Sequence, residues 1–322
     1  MPQLTFLQAI SAAQQEEMRR DSRVFLMGED VRCNMFGVTT GYIEEFGLER
    51  VRDTPISEAS LTGVAAGAAM VGMRPILDYT LGAFMYLAVD QLFSIVAKSR
   101  YLYGGQTSVP AVFRANMIYG NSMAAQHSDR PYSFFMGMPG LKIVIPSNAY
   151  DAKGLLKSAI RDDDPVLFFE DTSLWSAKSE IPQTEYLLPL GKGKVVRDGS
   201  DVTVVAIGAM VGLAQTAART LEAEGISVEI VDPRSLAPLD RDLILGSVKK
   251  TGRVVVVDVS FETCSAASEI AAIVADEGFW DLRGPVIRVT VPPTHIPFSP
   301  VMERPLYPTA EKVIGAIRKA MG

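Results

Sequence analysis

The chain has little cysteine: in 322 residues there are two, Cys33 and Cys264, far apart and in no metal-ligand spacing. A disulfide framework is not expected, and a reducing, cytoplasmic compartment is. An excess of positive charge is missing too. The net charge is -6 and no lysine or arginine run interleaves with aromatics, so a nucleic-acid partner is not expected. The longest apolar run, Leu61 to Met73, is too short and too rich in glycine to span a bilayer. MPQLTFLQAI lacks the basic-then-apolar layout of a signal peptide, so neither export nor a membrane partner is expected. Nucleotide motifs are absent as well: there is no P-loop, and no tight glycine fingerprint follows either first strand. Neither HExxH nor a CxxC pair occurs, which argues against a protein-held transition metal.

What is present is apolar substance in a regular rhythm. With 48% hydrophobic residues the chain can bury two cores. TFLQAISAAQQEEMRRD sets Phe6, Ile10 and Ala13 on one helical face, and VFLMGED (Val24 to Asp30) is a short strand ending in acids. GYIEEFG predicts a short helix ended by Gly47, and RPILDYT, VPAVFRA, LKIVIPS and PVLFFED predict buried strands. FMYLAVDQLFSIVAKSRYLYGG predicts one long helix stopped by its glycines, and DAKGLLKSAIRDDD another helix. Strands alternating with helices imply an α/β chain of two doubly wound domains with mainly parallel sheets. The composition turns polar and rich in proline and glycine after Asp171. The expected divisions are a first domain over 1–175, a linker over 176–198 and a second, smaller domain over 199–322.

Candidate chemistry gathers at few residues. RVRDTPISEASLTGVAAGAAMVGMRPILDY, from Arg50 to Tyr79, is a charged turn, a helix of glycine and alanine, and a strand. Glu58 opens that helix, with Ser57 or Ser60 as N-cap. A carboxylate there is favoured by the helix dipole without any catalytic purpose, so residue type alone leaves both roles open. The bare helix suits close approach of another helix, including one from a second subunit. Of the two histidines, His295 lies between prolines in an irregular segment, which suits a structural or surface role. His127, in AAQHSDRPYSFF, fits a satisfied polar residue as well as a catalytic one.

Taken together, RVRDTPISE, DQLFSIVAKSRY, AAQHS and PGLKIVIPSNAYDAKGLLKSAIRDDDPVLFFE resemble, in order and spacing, one family. It is the beta subunit of the thiamine-diphosphate-dependent 2-oxo acid dehydrogenases (pyruvate, branched-chain 2-oxo acid) and acetoin dehydrogenases. VVDVSFETCSAASEIAA and IPFSPVMERPL extend the resemblance over nearly the whole chain. It implies a transketolase-like pyrimidine-binding domain followed by a transketolase C-terminal-like domain.

The resemblance also implies roles. Glu58 shares a proton with the aminopyrimidine ring of thiamine diphosphate, which calls for an apolar pocket around it. Phe84 packs against that ring, and Glu29 approaches the cofactor. His127 faces the reacting end and takes part in acyl transfer to lipoamide. Some members hold a potassium ion, and the matching positions are Ala111, Ala159, Ile160, Asp162 and Asp164, mostly through backbone carbonyls. Asp164 stands where asparagine is common. The segments ANMIYGNSM and DRPYSFFMGM, flanking QHS, depart from the family pattern, which bears on the substrate rather than on the cofactor. A GDG-type motif for the diphosphate and Mg2+ is missing, and RDGSD at Arg197 is no substitute. The resemblance therefore implies an alpha subunit carrying that half, an α2β2 assembly and docking to a lipoyl acyltransferase. A split transketolase-type carboligase and a non-catalytic assembly subunit are the competing expectations. A nucleotide-dependent dehydrogenase has only the strand–helix rhythm in its favour.

Overall fold

A computed structural model describes residues 2–322. The described residues divide into two compact units, one of residues 2–117 and 135–190, the other of 118–134 and 191–322.

In the first unit, strands β2 (Val24–Gly28), β3 (Val51–Asp53), β4 (Arg74–Leu81), β5 (Val112–Met117), β6 (Lys142–Val144) and β7 (Val166–Asp171) form a parallel array. Their spatial order is β6-β7-β5-β4-β2-β3. Every residue of β2, β5 and β7 is buried, which is why these segments read as continuous apolar runs rather than alternating ones. The Phe6–Arg20 helix starts in a capping box of Thr5 and Gln8 and packs on the Ala149–Arg161 helix. Between them, fully buried Glu17 takes the Arg161 guanidinium at 2.7 Å.

The long helix expected after β4 is not one helix. The chain winds as 3₁₀ over Gly82–Ala88, widens to a π-turn over Gln91–Val96, where Ala97 N donates to Leu92 O at 2.9 Å, and ends in a short α-turn, Ser99–Leu102. The wide turn places Phe93 edge-on to Phe135, 5.7 Å between ring centres.

The stretch 176–198 carries a short strand at each end and an irregular segment between them. β1 (Gln3–Thr5) pairs antiparallel with β8 (Lys178–Glu180), and Tyr186 stacks on Tyr150 at 4.6 Å, so the first unit runs to Leu190. From Gly191 the chain belongs to the second unit, which also takes residues 118–134 from inside the first half.

The second unit has a five-stranded sheet of order β14-β13-β10-β11-β9, formed by β9 (Lys194–Arg197), β10 (Val202–Ala206), β11 (Val228–Asp232), β13 (Val254–Phe261) and β14 (Ile287–Val291). β12 (Ser235–Ala237) is a short strand after β11. All pairs within this sheet are parallel except β9 with β11. Helices Met210–Glu222 and Ala310–Met321 pack together, as do Arg241–Thr251 and Ala266–Glu277, and cover the sheet. Both units are doubly wound, as the strand–helix alternation implies. Among the described residues no helix is long and apolar enough to cross a membrane.

Candidate active site

The charged turn after β3 ends at Ser57, which occupies the N-cap position of the Glu58–Met70 helix. Its hydroxyl donates to Ser60 Oγ at 2.9 Å instead of capping a helix N–H. Glu58 is the first helical residue and only 5% exposed. Thr62 Oγ1 donates to the Glu58 carbonyl at 2.6 Å and meets the buried Tyr79 hydroxyl. The Glu58 carboxylate itself has no hydrogen bond or ion pair among the described residues. Its oxygens are not among the fully buried unpaired polar atoms, so the carboxylate keeps a narrow opening to solvent, and an acid left open in this way at a nearly buried position suits an incoming partner.

A second carboxylate stands near. Gly28 ends β2 opposite Asp78 of β4, so closely that a Cβ there would lie 2.4 Å from the Asp78 carbonyl oxygen. Glu29 follows directly. Burial pushes its carboxyl above the usual range, and the charges of Glu58, Asp30 and Asp78 add to the effect. Burial, the largest cause, and the charge of Glu58 likewise hold the Tyr79 phenol well above its ordinary value, although its bond to Thr62 opposes them.

Beneath these acids lies an ion network absent from the sequence expectations. Arg114, 1% exposed on β5, donates Nε to Glu170 of β7 at 2.6 Å and Nη1 to Asp78 of β4 at 2.8 Å. Burial pulls the guanidinium down, but its two carboxylates outweigh that and hold it above its ordinary value. Asp78 also accepts from Thr80 N at 2.8 Å, and Thr80 is held at φ +67, a conformation unusual for a β-branched residue. The sequence signal was available: arginine and glutamate inside fully apolar runs, VFRA and LFFED, imply a buried pair.

The other expected site residues fall into three places. Phe84 is half-buried in the 3₁₀ segment that packs on the Glu58–Met70 helix. His127, half-buried, ends the short Ala124–His127 helix and belongs to the second unit, whereas Glu58, Glu29 and Phe84 belong to the first. In the Ala111, Ala159, Ile160, Asp162 and Asp164 set the polar groups are engaged by protein. Arg74 Nη1 donates to the carbonyls of Ile160 at 3.1 Å and Asp162 at 2.8 Å. Val166 N and Asp162 N donate to the carbonyls of Ala111 and Ala159. Lys142 binds the Asp162 carboxylate, and Arg100 that of Asp164.

Residues 2–176 match the transketolase pyrimidine binding domain, and residues 191–313 the transketolase C-terminal domain. The beta subunit of acetoin:2,6-dichlorophenolindophenol oxidoreductase from Bacillus subtilis (strain 168) is 44% identical, with 98% of this chain and 96% of that protein covered. The 2-oxoisovalerate dehydrogenase subunit beta of the same organism is also 44% identical, over 99% of both. The chain belongs to the family of thiamine-diphosphate-dependent 2-oxo acid and acetoin dehydrogenase beta subunits. Among solved structures, one described as a split gene transketolase, inactive beta4 tetramer, superposes with a TM-score of 0.83 at 25% identity, covering 99% of this chain and 98% of that one.

Proposed function

We propose that this beta subunit supplies the aminopyrimidine half of a thiamine diphosphate site shared with an alpha subunit, and helps pass the acyl group of a 2-oxo acid or acetoin to lipoamide. The observation that carries the reading is Glu58, a nearly buried residue whose carboxylate has no protein partner among the described residues: it suits a group that exchanges a proton with a ring nitrogen brought by the cofactor. Thiamine diphosphate, when bound, supplies a nucleophilic carbon and a sink for the electron pair released when the carbon–carbon bond breaks. Glu58 gives and recovers the proton at the pyrimidine nitrogen, and Phe84 offers an apolar face to the ring. Glu29, whose carboxyl burial and the charge of Glu58 both raise, is the second acid beside the cofactor. His127 moves a proton at the acyl carbonyl while lipoamide accepts the group.

An alpha subunit holding the diphosphate and Mg2+ is part of the proposal. The cavity lined by Glu29, Asp78, Thr80 and Asn116 measures about 20 Å³, room for a water rather than a cofactor. The helix behind Glu58 is bare: a Cβ at Gly63 or Gly67 would meet nothing within 4 Å. Val64, Val71 and Ile56 beside it are exposed, at 59%, 82% and 81%. Tyr101 and Leu102, from the segment after it, add further exposed apolar surface. Surface of this kind suits a subunit interface.

The test uses the chain assembled with its alpha subunit, thiamine diphosphate, Mg2+ and a lipoyl domain, offered pyruvate, 3-methyl-2-oxobutanoate or acetoin. For a 2-oxo acid, CO2 leaves, the lipoyl disulfide takes two electrons, and the acyl group ends on one sulfur. The expected mass spectrum shows the lipoyl domain gaining one acyl group and one hydrogen, the acyl on one sulfur and the hydrogen on the other. A ketose phosphate formed from a sugar-phosphate acceptor, with the lipoyl domain untouched, decides instead for the split transketolase reading that the structural likeness favours. The 44% identity to dehydrogenase subunits, against 25% to the transketolase, weighs for the dehydrogenase.

Potassium belongs to the same proposal. The carbonyls of Ala111, Ala159, Ile160 and Asp162 are hard oxygen donors with a second lone pair each, although Arg74 already draws on two of them. The expected result is a higher melting temperature in KCl than in tetramethylammonium chloride of equal ionic strength. Identical melting curves strike the ion from the account.

A further inference from the structure

The segment 118–134, which carries His127, is held by residues from the far end of the chain. Glu303 is fully buried, and its carboxylate is satisfied by donors that tie it to that segment. Gly120 N donates to Oε1 at 3.0 Å, Ser122 N donates to Oε2 at 2.8 Å, and the Tyr307 hydroxyl donates to Oε1 at 3.2 Å. Tyr307 in turn lies against the Tyr119 ring, 5.1 Å between centres, and Arg130 sits over the other partner of that pair, 5.1 Å from the Tyr119 centroid. Burial, chiefly, pushes the Tyr307 phenol up to about 12, so it remains a donor to Glu303 at any physiological pH.

The loop being held is strained. Gly120 lies at φ +71, and two residues with side chains, Ser122 and Ala124, lie at +57 and +58. Backbone of this kind persists only where its surroundings over-determine it. The Ala124–His127 helix follows at once, a single turn, so the direction in which it leaves residue 123 decides where the imidazole goes. Beyond the helix the segment is fixed again: Tyr132 donates to the fully buried carboxylate of Asp258, which also accepts Ser260 N at 2.9 Å. His127 therefore rides on one helical turn between two buried carboxylate clamps, of which the Glu303 clamp acts on the strained side.

We propose that Glu303 is a positioning residue for His127: its carboxylate, by accepting from Gly120 N and Ser122 N, sets the loop that aims the imidazole. The proposal rests on the reading above in which His127 serves acyl transfer. A neutral acceptor cannot do the same work, because both carboxylate oxygens are accepting from the loop at once.

The experiment uses the assembled alpha–beta complex with the lipoyl domain and compares Glu303→Gln, His127→Ala and the double variant. Glutamine keeps the volume but turns an NH2 towards one of the two backbone N–H groups, so half of the clamp opens. Amide hydrogen exchange of the 118–127 peptide is expected to quicken in Glu303→Gln. The rate of lipoyl acylation is expected to fall roughly tenfold to 100-fold, the size of effect a misplaced group produces. In the His127→Ala background the same substitution is expected to change the rate little, because the two act as one unit. An equal fall in both backgrounds, or unchanged exchange, overturns the proposal. His127→Ala at full rate overturns the underlying role of His127 and with it the catalytic half of the proposal, while faster exchange in Glu303→Gln still identifies the clamp. If Glu303→Gln does not assemble, Tyr307→Phe carries the same readings at smaller size, since it keeps the ring on Tyr119 and removes one donor.

Discussion

Replacing Glu58 by glutamine lowers turnover of the alpha–beta complex by about 10²–10⁴-fold, the range over which a positioned acid–base group contributes. The substitution keeps the shape of the side chain and the start of the helix, and it removes the proton-exchanging carboxyl. Stability moves the other way. The residue is nearly buried and its carboxylate has no protein partner among the described residues, and its charge is one of the causes that raise the carboxyl of Glu29. A neutral amide relieves both, so the melting temperature of the variant is expected to equal or exceed that of the parent chain. Loss of rate without loss of stability marks a group kept for chemistry. The measurement is lipoyl acylation under saturating substrate beside a thermal melt. Full turnover ends the catalytic assignment and favours an assembly subunit; a large drop in melting temperature makes Glu58 a structural acid.

Arg114→Met is expected to be the most damaging single change to stability, at about 3–5 kcal/mol, the cost of removing one partner from a buried ion network. Glu170 is fully buried and Asp78 half-buried, and both lose their counter-charge. The effect depends on pH, and its sign follows from Glu170. Burial raises the Glu170 carboxyl above its ordinary value and the Arg114 charge only partly offsets this, so without Arg114 the carboxyl rises further. A carboxyl raised on folding leaves stability intact below its unfolded pKa of about 4.3, and stability is lost as pH climbs through the folded value. The penalty of Arg114→Met is therefore expected to be smaller at pH 5 than at pH 8, and Glu170→Gln added to it is expected to recover part of the loss. Unfolding curves at the two pH values decide the matter. A penalty independent of pH means that the lost packing of the long arginine side chain, not the stranded carboxylates, accounts for the change.

The parts of the molecule legible in sequence are those set by local pattern. β2, β5 and β7 announce themselves because both faces are buried, and the Glu58–Met70 helix because a charged turn gives way to small residues. The winding of residues 82–102 is not legible, since over six residues an apolar pattern suits an α-, 3₁₀- or π-turn equally, and packing such as Phe93 on Phe135 makes the choice. Partners distant in sequence are hidden for the same reason. Nothing local says that Gly120 belongs with Glu303, 183 positions on, or Tyr132 with Asp258, 126 positions on. Those pairs put 118–134 in the second unit, against the reading of an unbroken domain over 1–175. At the candidate site, residue type leaves Glu58 ambiguous between dipole compensation and catalysis. Its burial without a partner is a fact of tertiary structure, and that fact favours catalysis.

The central claim is that Glu58 takes part in activating a cofactor whose other half is held by another subunit. The most direct measurement is hydrogen–deuterium exchange at the thiazolium C2 position of thiamine diphosphate, quenched in acid and read by proton NMR. With the alpha subunit and this chain together, exchange is expected to run far faster than in free cofactor. This chain alone is expected to give no acceleration, and Glu58→Gln in the complex is expected to slow exchange by about 10²-fold or more. Exchange in the Glu58→Gln complex as fast as in the parent complex contradicts the account.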